Sequence, residues 1–212
     1  MATLADTLTA ARTPLYHLHA ASAQGDTGDA LERCALVDLC GLPRLGLRGR
    51  DAASQLQQRG LTLPERPNHA CWQPDDSLVA RLSASEYLLL ASPASGAPGA
   101  ADETGWPLTL DGCHVLPRQD SHGWFALTGR QAPHIMAKLC GVDLAPEAFA
   151  PGCVAQTSVA RSSAIVINAS RPALVCFHLL FDSALAHYLW PVLLDAMQEF
   201  DGREASPLAL RR

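Results

Sequence analysis

The order of apolar and polar positions along the chain predicts a mixture of short strands and helices. Alternating or continuous apolar runs of strand length occur at 44–47, 124–127 and 174–181. Two further strand pairs are predicted, at 77–82 with 86–91 and at 154–161 with 164–168. The pattern therefore predicts an α+β chain whose strands form mixed or antiparallel sheets.

Helical spacing appears in three places. The segments 51–59 and 131–140 have helical periodicity, and each is closed by a glycine, where a left-handed backbone is favoured. Near the C-terminus, apolar residues recur every three or four positions from Leu185 to Phe200, which predicts an amphipathic helix ending at Gly202. Ser183 is its predicted N-cap, and Pro191 should bend it or remove one backbone hydrogen bond.

The two predicted strand–helix units are related by a constant shift of 80 residues, which carries Gly49 onto Gly129. At this shift residues 47–52 match 127–132, and residues 79–84 match 159–164. Ten of 46 aligned positions are identical, where composition alone would give roughly three or four. We therefore predict duplicated β/α halves with packed helices, and chance similarity in an Ala-rich sequence is the alternative.

Composition shifts along the chain predict its domain organisation. The stretch between the halves is rich in small residues, Pro and Gly, which is typical of a linker. We predict an N-terminal arm at 1–30, one domain at 31–202 made of halves 31–91 and 106–202 with linker 92–105, and a loose tail at 203–212.

Composition and charge exclude several classes of protein. An apolar fraction of 48% with 17% charged residues indicates a compact fold. A net charge of −5 with scattered arginines argues against nucleic-acid binding. No apolar run is long enough to cross a membrane, and the first residues lack the apolar core of a signal peptide. Seven cysteines without CxxC spacing predict reduced, buried thiols and a cytoplasmic location.

The search for catalytic and metal-binding motifs is mostly negative. No GxSxG, HExxH, Walker A or GxGxxG sequence is present, so no catalytic residue is predicted. Cys113, His114, His122 and Cys140 carry groups that bind zinc or act as nucleophiles, but their spacing matches no metal module. We therefore predict buried, inert cysteines and no metal site.

Asp120, His122 and Trp124 are the candidate cofactor-binding residues. A carboxylate beside a histidine can fix its tautomer and raise its basicity, and the intervening Gly123 allows close approach of a ligand. The alternative is a strand edge or bulge. Asp182 and His187 form a second pair, but Asp182 also suits the start of a helix. The four tryptophans could stack a pterin, although core or interface packing explains them as well.

Several strings of the sequence resemble one family. They lie at 118–129, 136–144, 154–161, 177–184 and 188–190, with 42–49 and 81–90 in the first half. Together they are similar to the gamma subunit of heterotetrameric sarcosine oxidase, over about residues 35–200. None of these strings is a catalytic signature.

The resemblance implies a fold, a function and partners. The fold would be that of the folate-binding part of the glycine-cleavage T-protein, an aminomethyltransferase, which has two related β/α halves. The function would be that of a non-catalytic gamma-type subunit in a complex that oxidatively demethylates sarcosine or a related N-methyl amino acid. That complex gives glycine and hydrogen peroxide and passes the one-carbon unit to tetrahydrofolate.

The resemblance also implies which subunits of the complex hold the cofactors. FAD, FMN and NAD would belong to the alpha and beta subunits, zinc to the delta subunit, and none to this chain. We expect partner contacts through the arm 1–30, exposed tryptophan or apolar positions, and the last helix. N-methylglutamate dehydrogenase has a related subunit, so the amine substrate stays open. The alternative function is a stand-alone T-protein-like folate-binding or one-carbon-transfer protein.

Overall fold

The computed structural model describes residues 13–19, 28–97, 99–107 and 109–210 of the 212-residue chain. The strands in this part are β1 (Ala35–Asp38), β2 (Arg44–Arg48), β3 (His69–Trp72), β4 (Leu78–Arg81), β5 (Glu86–Leu90), β6 (Thr109–Leu110), β7 (Cys113–Pro117), β8 (His122–Thr128), β9 (Val154–Val159), β10 (Ser162–Asn168), β11 (Cys176–Asp182) and β12 (Arg203–Ala205). The helices are α1 (Tyr16–His19), α2 (Gly28–Arg33), α3 (Ala52–Gln58), α4 (Ala132–Leu139) and α5 (Ala186–Met197).

The strands form two six-stranded sheets. Sheet 1 has the order β12-β1-β8-β11-β10-β9, and sheet 2 has the order β3-β4-β5-β2-β7-β6. Neighbouring strands are antiparallel, apart from the parallel pair β1 and β12. The α+β class with mixed or antiparallel sheets is therefore confirmed.

Three clusters of buried residues stack the sheets and helices into four layers. Between the sheets lie Trp124 and Ala126 of β8 and Leu88 and Leu90 of β5. The alternate residue Phe125 points to the other face of sheet 1, where α4 and α5 pack. Helix α3 covers the outer face of sheet 2. Because each sheet is buried on both faces, its central strands carry continuous apolar runs rather than alternating ones.

The two halves of the chain have the same connectivity. One runs β2, α3, β3, β4, β5, and the other runs β8, α4, β9, β10, β11. The corresponding sheet orders are β2-β5-β4-β3 and β8-β11-β10-β9. The strand before each unit crosses over, because β1 pairs with β8 and β7 pairs with β2. The predicted pair of related halves is confirmed, and each half places its leading strand in the sheet of the other.

The second block of the sequence repeat is not structurally equivalent. Val79 and Arg81 lie in β4, whereas Val159 ends β9, and Ala160 and Arg161 form the next turn with φ of 47° and 64°. Sheet order matches β4 with β10 instead. The loop between α4 and β9 is longer than the loop between α3 and β3, so the constant shift holds only through the helices.

Two predicted helix ends differ from the structure. Gly60 adopts the expected left-handed conformation, with φ of 79°. After α4, however, Cys140 is extended and forms an isolated bridge with Val159, so Gly141 is not a left-handed cap. Ser183, the predicted N-cap of α5, instead begins a 3-10 turn, Ser183–Leu185, that leads into the helix, and Leu185 is the N-cap residue of α5. Asp182 caps the 3-10 turn, because its side chain accepts a hydrogen bond from the Ala184 amide.

The terminal segments pack onto the sheets where the structure describes them. Of the predicted arm, residues 1–12 and 20–27 lie outside the described residues. Leu15 is fully buried, and the Thr13 hydroxyl donates a hydrogen bond to the Asp38 carboxylate. The segment expected as a loose tail instead supplies β12, whose Arg203 amide bonds the Cys34 carbonyl; residues 211 and 212 lie outside the described part.

The stretch between the halves and the last helix also differ from expectation. The predicted linker contains two 3-10 turns, at Gly99–Ala101 and Glu103–Gly105, and its Ser92 is buried. The apolar stripe of α5 packs in the core, so it is not available to a partner, and Tyr188 is its exposed aromatic residue.

No helix in the described part of the chain is long and apolar enough to span a membrane. The seven cysteines are unpaired; five are buried, whereas Cys71 and Cys153 are half-buried. Burial raises the pKa of Cys34 to about 11 and that of Cys176 to about 12, so both stay protonated near neutral pH.

Candidate functional site

The three residues predicted to bind a cofactor differ in their exposure to solvent. Asp120 is exposed in the turn before β8, where its carbonyl accepts a hydrogen bond from the Ser183 hydroxyl. His122 begins β8 and is half-buried, with Nδ1 2.9 Å from the Ser121 hydroxyl oxygen. Trp124 is fully buried between the sheets. The side chains that the sequence places two residues apart thus occupy different environments.

His122 also differs from its predicted chemistry. Its pKa is lowered to about 4, first by burial and then by the nearby Arg118 and Arg44 guanidinium groups. The carboxylate opposite it across the strand pair is Asp182, not Asp120, and its opposing effect is smaller. The prediction of a more basic histidine is therefore wrong, and His122 is neutral at pH 7.

The predicted alternative of a zinc or thiolate–imidazole site has no support in the geometry. Cys113 and His114 lie on β7 of sheet 2, whereas His122 begins β8 and Cys140 follows α4. Among the residues that the structure describes, no group of three or more His, Cys, Asp or Glu side chains could hold a metal ion.

A buried histidine lies between the two sheets. His178 lies in the middle of β11 and is 2% exposed. Its ring meets the edge of Trp124 at 5.3 Å and of Trp72 at 6.3 Å between ring centroids. Neither its Nδ1 nor the Trp124 Nε1 has a hydrogen-bond partner among the described residues. Burial alone lowers the pKa of His178 to about 3, so its imidazole is neutral.

A cleft of about 260 Å³ opens beside His178. We call it the His178 cleft; it is lined by Leu31, Glu32, Trp72, Asp76, Ser92, Pro93, Ala94, Ala169, Arg171, Ala173, Leu174, Cys176, His178, Ala209 and Leu210. The Arg171 guanidinium lies 4.1 Å from the centre of the Trp72 ring, and its Nη2 is 2.6 Å from Asp76 Oδ1. Apolar walls with a few polar groups are typical of a binding cleft for a small molecule.

The His178 cleft is better suited to binding than to catalysis. Cys176 lines it, but burial raises the pKa of this thiol to about 12, which leaves little thiolate at neutral pH. Within the described ranges, no carboxylate or carbonyl accepts a hydrogen bond from His178 Nδ1 to orient the ring as a general base. The two groups therefore do not form an activated nucleophile.

A second concave surface lies at the edge of sheet 1 beside α2. We call it the arginine groove; its volume is about 490 Å³ and it is lined by Asp29, Ala30, Glu32, Arg33, Arg130 and Arg203. Backbone hydrogen bonds hold its walls together, from the Arg130 amide to the Glu32 carbonyl at 3.0 Å and from the Arg203 amide to the Cys34 carbonyl at 3.2 Å.

Gly129 makes this close approach possible. Its φ is 96°, and a Cβ at this position would lie 2.4 Å from the backbone carbonyl group of Arg33. A side chain here would push α2 away from the start of α4. The glycine that helped to reveal the sequence repeat therefore also positions the arginine groove.

Comparison with solved structures defines the class of fold. The chain superposes on the glycine cleavage system aminomethyltransferase T from Bartonella henselae with a TM-score of 0.65 and 16% identity, over 95% of this chain and 62% of that protein. It superposes on a chain of heterotetrameric sarcosine oxidase from Corynebacterium sp. U-96 with a TM-score of 0.67 and 24% identity, over 92% of this chain and 98% of that one. The protein thus has the aminomethyltransferase type of α+β fold.

Sequence comparison narrows the resemblance. No family model matches the chain. The chain is 26% identical over 203 residues to sarcosine oxidase subunit gamma from Arthrobacter sp.. The aligned region covers 93% of this chain and 95% of the relative. The chain is 25% identical over 202 residues to the same subunit from Corynebacterium sp. (strain P-1). The resemblance to subunit gamma inferred from the sequence strings is confirmed, and it extends over nearly the whole chain.

Sequence reasoning missed the His178 cleft and the arginine groove. A histidine inside the apolar run at 174–181 was a visible signal for the first, because a buried polar group in a strand needs an explanation. The groove left no such signal, since Arg33, Arg130 and Arg203 are distant in sequence and meet only through the fold.

Proposed function

We propose that this chain is a non-catalytic, gamma-type subunit of a heterotetrameric sarcosine oxidase-like complex in the cytoplasm. The observation that carries the proposal is the similarity to sarcosine oxidase subunit gamma over 93% of this chain and 95% of that relative. A match of this extent covers the full fold rather than one motif. The complex would oxidatively demethylate sarcosine or a related N-methyl amino acid and transfer the one-carbon unit to tetrahydrofolate.

The proposal assigns the redox chemistry to the partner subunits. FAD, FMN and NAD would be held by the alpha and beta subunits and zinc by the delta subunit, with no cofactor in this chain. The state of its own candidate groups supports this division. Burial lowers the pKa of His178 to about 3 and raises the pKa of Cys176 to about 12, so neither is tuned for acid–base or nucleophilic work at neutral pH.

Reconstitution tests the proposal. The cognate alpha, beta and delta subunits are produced together with and without this chain, and the products are separated by size-exclusion chromatography. With the chain, we expect a four-subunit complex that forms hydrogen peroxide from sarcosine or a related N-methyl amino acid. Without it, we expect incomplete or less stable assemblies. The proposal is wrong if the chain elutes apart from all three subunits.

A second candidate function is folate binding by this chain itself, and the His178 cleft favours it. The cleft combines an aromatic wall at Trp72 with the Arg171–Asp76 ion pair at hydrogen-bonding distance. Titration calorimetry with tetrahydrofolate tests it, using Trp72→Leu as the perturbation. Trp106→Leu is the matched control, because Trp106 packs beside α3 on the other side of sheet 2. No heat at high micromolar tetrahydrofolate excludes this candidate.

A further inference from the structure

Most arginines in the described part of the chain have side-chain partners. Four of them form ion pairs: Arg48, Arg50, Arg118 and Arg171. Arg44, Arg59 and Arg81 donate hydrogen bonds to backbone carbonyls. Arg59 in addition stacks on the Trp106 ring. Arg66 bonds His69, and Arg33 bonds the Asp201 carbonyl. Arg130, Arg161 and Arg203 are exposed and make no side-chain hydrogen bond or ion pair with the described residues. Two of these three arginines line the arginine groove.

Acidic partners are present beside these arginines but do not pair with them. Asp29 and Glu32 line the same groove, yet within the described chain neither forms an ion pair with Arg33, Arg130 or Arg203. Over the whole sequence, acidic residues outnumber basic ones by 21 to 16. Unpaired arginines are therefore not a consequence of an excess of positive charge.

The groove is built by the fold and not by one flexible loop. Arg33 ends α2, Arg130 follows the glycine turn after β8, and Arg203 begins the edge strand β12. The backbone bonds from Arg130 and Arg203 to the α2 segment hold the three walls together. The arginines are therefore presented together on a supported surface, which lowers the entropy lost when a partner binds.

We propose that the arginine groove docks an acidic segment of a partner subunit, whose carboxylates pair with Arg130 and Arg203. The proposal rests on the proposed function, since it names the surface that such a subunit would use. A guanidinium binds a carboxylate through two parallel N–H···O bonds, so exposed, unpaired arginines fit an acidic partner. Such pairs set partner choice and orientation as well as affinity.

The charge pattern favours a polypeptide over a small anion. Asp29 and Glu32 line the groove beside the arginines, so their negative charge opposes the binding of a compact anion such as phosphate. An extended segment can set its carboxylates against the arginines and an amide or basic group against Asp29 and Glu32. A groove of about 490 Å³ also leaves room for several side chains.

The test compares two variants of the full chain in complex assembly. Arg130→Gln combined with Arg203→Gln removes both unpaired charges of the groove. Arg161→Gln is the matched control, because Arg161 is also exposed and unpaired but lies in the turn between β9 and β10. Thermal melting shows that each variant is folded. The dissociation constant for the remaining three subunits is then measured at low and high NaCl concentration.

We expect the double variant to bind at least about tenfold more weakly at low salt and to lose most of its salt dependence. The Arg161→Gln control should stay within about twofold of the wild type. If the double variant binds as tightly as the control, the docking proposal is wrong while the proposed function stands. If the wild-type chain binds none of the three subunits, the proposed function fails and the docking proposal fails with it.

One further experiment distinguishes the docking of a partner segment from a binding site for a small anion. Inorganic phosphate is added to the isolated chain, and the melting temperature is measured for wild type and double variant. Docking predicts no difference between the two in their response to phosphate. Stabilisation of the wild type alone, together with normal assembly of the double variant, would identify a phosphate site and overturn the docking proposal.

Discussion

Replacing Arg44 with methionine is expected to lower the free energy of unfolding by about 3 kcal/mol. Arg44 begins β2, the residue is 1% exposed, and its guanidinium donates to four backbone carbonyls at 2.7 to 2.9 Å. Two of these carbonyls belong to Cys40 and Leu42, between β1 and β2, and two belong to Gln119 and His122, at the turn from β7 to β8. The guanidinium thus joins the two places where the chain crosses between the sheets.

The expected magnitude is the difference between two opposing terms. Four hydrogen bonds from a charged donor are worth roughly 1.5–3 kcal/mol each, or about 6–12 kcal/mol together. Burying the guanidinium offsets much of this, and the same desolvation lowers the pKa of Arg44. Methionine fills the volume but removes the guanidinium donor from four carbonyls, of which the Cys40 carbonyl also accepts a hydrogen bond from Gln119 Nε2. The net loss should therefore be about 3 kcal/mol. Arg44→Lys should not rescue the fold, because one ammonium cannot reach all four carbonyls.

Urea unfolding monitored by circular dichroism measures this loss, and Arg48→Met is the matched control. Arg48 lies on the same strand, but its side chain is 68% exposed and 3.9 Å from Glu86. We expect the control to change the free energy of unfolding by no more than about 0.5 kcal/mol. A loss below about 1 kcal/mol for Arg44→Met, with an unchanged m-value, would refute the reasoning.

Two further predictions follow from the glycine turn and the buried histidine. Gly129→Ala should destabilise the protein by at least about 2 kcal/mol in thermal or urea unfolding, because φ is 96° and the added Cβ would meet the Arg33 carbonyl group. Gly141→Ala is the control, because no atom lies within 4 Å of a Cβ added there. Equal effects of the two substitutions would contradict the prediction. Since the pKa of His178 falls from 6.5 to about 3 on folding, the unfolded chain binds a proton below pH 6.5 that the folded chain does not. Stability should therefore decrease from pH 6.5 towards pH 3, by about 1.4 kcal/mol per pH unit from this residue. His178→Leu should flatten that slope in urea titrations at several pH values, and parallel curves for wild type and variant would count against the assignment.

Local patterns were sufficient for the strand–helix units. Gly49 and Gly129 stand at the same point of each half, and both have positive φ, because a strand must turn sharply there into a helix. The apolar run ending at Phe181 and the periodic helix after it are likewise local features, and they correspond to β11 and α5. These elements could be predicted from the sequence because neighbouring residues determine them.

The features that could not be predicted from the sequence depend on contacts between segments that are distant in the chain. The exchange of β1 and β7 between sheets depends on contacts between distant segments, and β12 is only three residues long, Arg203–Ala205. The ungapped repeat misplaced its second block because loop lengths differ between the halves. The pKa of His122 is lowered rather than raised because folding buries the ring and places Arg118 and Arg44 near it.

The mass of the assembled complex, measured by native mass spectrometry, tests the central claim most directly. The cognate alpha, beta and delta subunits are mixed with this 22.6-kDa chain under conditions that preserve assemblies. We expect a single species whose mass equals one copy of each of the four subunits. When this chain is omitted from the mixture, that species should be absent. A spectrum in which this chain stays at its own mass while the other three assemble without it would contradict its role as a gamma-type subunit.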